Sequence, residues 1–526
     1  MKKLQTLKPD WNTLLLTLYM AVIWAAYLCL YHYGEWSVIN PPAVMTVCTA
    51  TAFFGLVFFF CYWIMKLIRW LPEIKTAEYD RKKFLQAYIF FLLCSLIILS
   101  IWYRAYLPGA YSPDTLNQID QVLTGHYVDW HPVWHTWLFI GIPHWITGTL
   151  TFFTPFQILF YSAVFGYFGA FLYRYAGFHF ALLSAVYILL NPFTCRMAMY
   201  PWKDIPFSMT ALLATLLVLN IYFQKDKEVR IWQAGVIGIL LGNASLFRIN
   251  GILFTAVLAL ACIFLMNRKQ WLIMMAAFLG FVLIIKGPVY ALAGVERPES
   301  HKVDHLGLPM TVIANVVKEH PEVLDEETKD LVYSMADQKT WEDLYQCGDF
   351  NTIRYEINTD PLDDHSTLQT IGIMIRCLKA APADGMRALF TLTQLVYGVE
   401  GEQRGDYDPW LRWNDYGLVY SGNYELQRLL DIYYKTYYET IFRYTRYIGT
   451  ALVVMLAFML GRSRLNSGSD WKRLLLCLPI FVHDYGTMLL LTGDDLRFFY
   501  LTYLLCPVII LLMLRKNEFA DRNRES

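Results

Sequence analysis

Residues 84–106 read FLQAYIFFLLCSLIILSIWYRAY, and residues 107–133 then turn polar as LPGAYSPDTLNQIDQVLTGHYVDWHPV. Roughly 20 apolar residues cross a bilayer as a helix, so the first stretch is long enough to span. The second holds Asp114, Asp120, Asp129, His126 and His131 among aromatics, with no Lys or Arg. A spanning helix that opens into an acidic, aromatic loop fixes the class of fold, and the rest is read outward from it.

Eleven further apolar runs have spanning length or nearly so: 11–33, 43–65, 154–173, 177–200, 205–223, 231–247, 251–267, 271–286, 447–461, 474–491 and 498–514. The run 177–200 is broken by Asn191-Pro192. Met1-Lys2-Lys3 ahead of 11–33 mimics a signal peptide, but the run is too long and has no small-residue cleavage site, so it reads as an uncleaved first span. Cytoplasmic loops are enriched in Lys and Arg. Lys2, Lys3 and Lys8, then Lys66 to Lys83, Lys225 to Arg230, Arg268-Lys269, Arg462 to Arg473 and Arg515-Lys516 mark six such segments. Loop 107–133 is therefore outside and loop 224–230 inside, which requires an odd number of crossings between them. Four apolar stretches lie there. The weakest is 134–150, interrupted by His135, Pro143 and His144, and it reads as an amphipathic helix lying on the membrane.

The expected architecture is an all-α polytopic membrane protein with about 12 transmembrane helices and both termini cytoplasmic. Residues 1–286 form an N-terminal membrane module containing loop 107–133 and interfacial helix 134–150. Residues 287–446, richer in Pro, Asp and Glu, form a mainly helical extracytoplasmic domain, because a structureless loop of that length is improbable. Residues 447–526 supply the last membrane helices and a short cytoplasmic tail.

Composition agrees. Hydrophobic residues make up 56% and charged residues only 17%, too little charge for a soluble surface of this size. The net charge is +0, which gives no basic field for nucleic acid. The ten Cys show no CxxC pair and no metal spacing. Most sit in apolar runs, while Cys347 and Cys377 share the polar segment, where a pairing is left open. There is no phosphate loop, zinc motif or nucleophile elbow, which leaves soluble nucleotide chemistry unsupported.

Four polar clusters fall on the external side. The first loop offers Asp114, after Ser-Pro, and the dense Asp129-Trp130-His131-Pro132. Desolvation beside a membrane raises a carboxyl pKa and makes a better base, although Asp114 equally fits a turn or a helix N-cap. Lys203-Asp204 opens a span, as a snorkelling Lys with a capping Asp or as a phosphate-binding Lys beside an orienting carboxylate. Arg248-Ile-Asn250-Gly sits in a tight external turn, against the charge rule, and Arg presents a fork suited to phosphate. Asp494-Asp495-Leu-Arg497 begins the last span, and a cation there runs against the helix dipole. His483-Asp484 lies mid-span, which is costly without a partner or cavity.

With these residues the chain resembles the GT-C superfamily of integral membrane glycosyltransferases. The resemblance rests on Asp114 followed by Gln118, on Asp129-Trp-His-Pro, on Lys203-Asp204, on Arg248-Ile-Asn-Gly, and on Asp495-Leu-Arg497-Phe-Phe-Tyr. It is best over the first 290 residues or so. It implies a polyprenyl-phosphate-linked sugar donor, a glycan, lipid or protein acceptor, and inverting transfer at the extracytoplasmic face of the cell membrane. Asp114, or else Asp129, is then the base or a metal-linked carboxylate, and a divalent metal is left open. His131, Lys203, Asp204, Arg248, Asn250, Asp494, Asp495 and Arg497 are the substrate and phosphate candidates, with Trp410 and Trp413 for stacking on sugars. Other classes remain alongside: a transporter or flippase of a lipid-linked sugar, which predicts charges spread through membrane depth, and a scaffold, which predicts clusters lying apart.

Overall fold

The structure is a computed structural model describing residues 10–39, 43–74, 79–224, 229–298, 302–398, 409–463, 471–493 and 495–515. Lys2, Lys3, Lys8, Lys75, Lys225, Lys227, Asp494 and Lys516 lie outside the described residues. Among the described residues the chain is helical, with no β-strand and only isolated bridges.

Among the described residues six helices are long and apolar enough to cross a membrane: Val44–Trp70, Arg81–Ala105, Phe153–Ala176, Asp204–Phe223, Arg268–Leu292 and Leu496–Leu514. Phe178–Leu189 and Pro192–Ala198 make a seventh if the 66° bend between them is counted within one span. The bend has a local cause. Pro192 cannot continue the preceding helix, and Asn191 caps the new one by accepting from the Phe193 N–H at 3.1 Å. Among the described residues three further apolar helices are shorter, Ile231–Phe247, Gly251–Phe264 and Ile448–Arg462, and the first helix, Trp11–Ile39, is apolar over Trp11–Ala26. Each of the apolar runs read from sequence is helical. The stretch 134–150 is a short helix, Val133–Thr147, that passes through a π-helical turn at Thr136–Gly141.

Two close helix pairs organise the body, and small residues permit both. Arg81–Ala105 lies along Phe153–Ala176, where a Cβ on Gly169 would come within 2.2 Å of the Phe91 ring. Ile231–Phe247 lies along Arg268–Ile284, where a Cβ on Gly238 would come within 2.2 Å of the Met274 carbonyl. Backbone approach of this kind is how apolar helices associate when burial alone offers little gain. Asp204–Phe223 and Leu496–Leu514 run through the centre, and Val44–Trp70 turns Leu56, Phe59 and Trp63 outward as a lipid-facing surface does.

The segment 287–446 has several parts. The helix that begins at Arg268 runs on to Leu292 through a π-turn at Gly287-Pro288. Residues 302–381 are helical around a core of their own, including Met310, Ile313, Trp341 and Phe350. Pro382–Tyr397 instead joins the membrane body, burying Leu392 and Val396 in the main core. Residues 409–423 form a strap over the first loop, and Tyr424–Tyr438 packs beside the bent helix. Cys347 and Cys377 are not bridged to each other: Cys347 Sγ lies 4.0 Å from Thr391 Oγ1 and Cys377 is buried in the helical core.

Candidate functional site

The first loop is built to present Asp114. Ser112 caps the helix Pro113–Thr124, Pro113 occupies its first turn, and Gly125 closes it in the left-handed conformation at φ 73°. The cap is therefore Ser112, not Asp114, which leaves the Asp114 carboxylate outside the local hydrogen bonding. Ser112 Oγ also accepts from the Trp202 indole N–H at 2.7 Å, tying this turn to the one that carries Lys203.

Three distant turns converge there. Arg497 lies 3.6 Å from Asp114 and 2.6 Å from Asp495. Its guanidinium sits 4.7 Å from the Trp202 ring centre and 5.0 Å from that of Phe498. Aromatic faces and carboxylates together hold a planar guanidinium in one orientation. Asp495 also caps the last membrane helix, accepting from the Arg497 N–H at 3.0 Å, so the capping expectation and the pairing both hold. Arg248 also lies against Phe498, 4.3 Å from the ring centre, and is paired with Asp204. Lys203 Nζ approaches His131 Nδ1 at 3.3 Å. Lys203 and Asp204, neighbours in sequence, thus have separate partners instead of pairing with each other. An ammonium can only donate, so Nδ1 accepts and His131 carries its proton on Nε2.

Ionisation follows this arrangement. Burial pushes the Asp114 carboxyl up, but Arg497, His131 and Lys203 beside it outweigh burial and hold it below the usual carboxylate range. The expected upward shift is therefore reversed, because three neighbours act against one burial effect. Burial, reinforced by Lys203, lowers His131 to about 4, so it is neutral at pH 7. Burial lowers Lys203, with Asp114 and Asp204 opposing. The cluster balances Asp114, Asp204 and Asp495 against Lys203, Arg248 and Arg497.

Other sequence candidates sit apart. Asp129 Oδ1 accepts from the Val133 N–H at 3.1 Å and Oδ2 from Lys286 at 3.1 Å, so it holds the start of the Val133–Thr147 helix. Asn250 begins the helix Gly251–Ala261, its carbonyl accepting from the Leu253 N–H at 3.1 Å. His483, Asp484 and Thr502 form a fully buried chain, with 2.8 Å between His483 Nδ1 and Asp484 Oδ1. Trp410 and Trp413 both lie in the strap, and Trp413 is 80% exposed there. No group of three His, Cys, Asp or Glu side chains able to hold a metal occurs among the described residues.

Two partners escaped the sequence reading. Lys286 lay at the edge of an apolar run. Arg196 lay inside one, and an intramembrane Arg is a signal that could have found it. Its guanidinium is buried, 2.8 Å from Asp431 and 3.5 Å from the Tyr434 ring centre.

The helices define a membrane protein, and the convergent turns define one polar centre at a common end of them. No family model, no curated protein and no solved structure matches the chain.

Proposed function

We propose that the protein is a membrane glycosyltransferase of GT-C type, moving a sugar from a polyprenyl-phosphate donor to an acceptor hydroxyl at the extracytoplasmic face. The observation that carries this is the meeting of Asp114, Lys203 and Arg497, from three distant turns, with Arg497 held against the rings of Trp202 and Phe498. A scaffold has no need to bring them together. Lys203 and Arg497 would hold the donor phosphate, and Arg248, already neutralised by Asp204, would fix the Phe498 platform between them. Phosphate bound there withdraws the two cations from Asp114, whose pKa then rises toward the range of a useful base. The acceptor oxygen attacks the anomeric carbon, its proton goes to Asp114, and the anomeric carbon–oxygen bond to phosphate breaks with inversion. The cations stabilise the charge that develops on the departing phosphate. The separate engagement of Asp129 favours Asp114 as the base.

In this reading all twelve apolar runs cross, the shorter helices included, and both termini are cytoplasmic. The chain would reside in the cell membrane, with 302–381 outside. Purified protein in vesicles supplied with polyprenyl-phosphate sugars is the test. Asp114→Asn should lower transfer by about 10²–10⁴-fold, the usual worth of a general base. Transfer at the parental rate in that variant overturns the mechanism. The buried His483–Asp484–Thr502 chain is the one feature that favours a flippase, which would move labelled lipid across the same vesicles regardless of Asp114.

A further inference from the structure

We propose that the groove between the strap 409–423, the helix Tyr424–Tyr438 and the end of the helix Arg81–Ala105 binds an oligosaccharide, the acceptor chain of the transfer reaction. The word acceptor rests on the function proposed above, and the saccharide site does not.

Two adjoining cavities form the groove. One, of about 330 Å³, is lined by Tyr106, Trp410, Leu411, Tyr420, Gln427 and Asp431. The other, of about 270 Å³, continues along the same helix past Arg428, Ile432 and Lys435, and shares Gln427 and Asp431 with the first. Together they reach the size that holds small ligands, about 300–1,000 Å³. The lining suits a sugar. Aromatic rings offer flat apolar faces to pyranose C–H groups, and planar amide and carboxylate groups offer hydrogen bonds at the edges.

The polar floor is set before any ligand arrives. Asp431 Oδ1 accepts from the Tyr106 hydroxyl at 2.7 Å and from Arg196 at 2.8 Å. Arg196 is 2% exposed and the Asp431 side chain 38% exposed. A cation buried at a helix break is expensive, and here it is spent on orienting one groove-facing carboxylate. Oδ2 of that carboxylate is left to meet a ligand hydroxyl. Glu425 compensates Arg428 at 3.1 Å.

The groove also leads to the polar centre. The Tyr111 N–H donates to the Trp410 carbonyl at 3.1 Å, and the Arg412 N–H to the Tyr111 carbonyl at 3.2 Å. Tyr111 stands three residues before Asp114 on the same turn. A chain lying along Trp410 and Leu411 therefore has its end beside the helix that carries the proposed base.

Saturation-transfer NMR on the full chain in detergent, with cellotriose, maltotriose and chitotriose as probes, tests the site. At least one should receive saturation, and Trp410→Ala and Gln427→Ala should each weaken it at least tenfold. Trp413→Ala, outside the cavity lining, should leave it unchanged and controls for folding. Asp114→Asn should bind as the parent does while failing to transfer. If no trisaccharide gives a Trp410-dependent signal, the groove is not a saccharide site, whatever the transfer assay shows. If binding depends on Trp410 and no polyprenyl-phosphate sugar is ever transferred, the site stands and the transferase reading falls.

Discussion

Two arginine–carboxylate groupings meet the same ring, Phe498, and differ in their access to water. Arg248 and Asp204 are closed off, with side chains 6% and 1% exposed. Arg497, Asp114 and Asp495 are open, at 22%, 35% and 26%. Similar chemistry therefore serves two ends. The closed pair fixes the turn after Ile231–Phe247 against the start of Asp204–Phe223. The open group keeps a cation and a carboxylate where a solute can reach them. Burial, not residue type, separates the closed pair from the open group.

The sharpest way to break the comparison is to remove one member of each group. Arg248→Ala leaves Asp204 buried and uncompensated and should cost about 3–5 kcal/mol, read as a lower unfolding temperature in detergent. Replacing both members with apolar residues should recover part of that loss; no recovery would mean that the pair does more than neutralise itself. Arg497→Ala should do the reverse: transfer falls by about 10²–10³-fold, as when one electrostatic donor is lost. Its stability should change by no more than about 1 kcal/mol, since the pair is partly exposed. A large loss of stability in Arg497→Ala would merge the two groupings into one structural unit.

Acidity sharpens the contrast. Asp114 is held below the usual carboxylate range, so its contribution to stability is full above its unfolded pKa and is lost as pH falls through the lower folded value. His131, lowered to about 4, is neutral in the fold; its contribution is full above an unfolded value near 6.5 and drains as pH falls toward 4. Neither group titrates at neutral pH in the ligand-free protein. The pH profile of kcat/KM should show no step between about 5.5 and 7.5 that disappears in His131→Gln. The smallest effect belongs to Asp129. Asp129→Ala removes a helix-start hydrogen bond and should cost about 1 kcal/mol in thermal unfolding, with transfer at the parental rate. A fall in transfer comparable to that of Asp114→Asn would return Asp129 to the reacting centre.

The sequence by itself determined the apolar helices and the break at Asn191-Pro192, and it marked the Ser-Pro-Asp114 stretch as a turn or helix start, though not that Ser112 is the cap. These follow from side-chain hydrophobicity and from bonds between residues a few positions apart, which are written locally. It also singled out Asp114, Lys203, Arg248 and Arg497 as charges out of place near a membrane. Only the tertiary structure decided who meets whom. Asp204 turned from its neighbour Lys203 to Arg248, 44 residues away. Asp129 went to Lys286, Asp431 to Arg196, and three neighbours reversed the shift that burial alone predicts for Asp114. Each of these is a Coulomb or stacking contact between turns far apart in the chain, and its strength depends on distance and exposure. Helical periodicity carries neither quantity. The opening stretch, 84–106, told where the chain leaves the membrane, and the packing of three distant turns told what waits there.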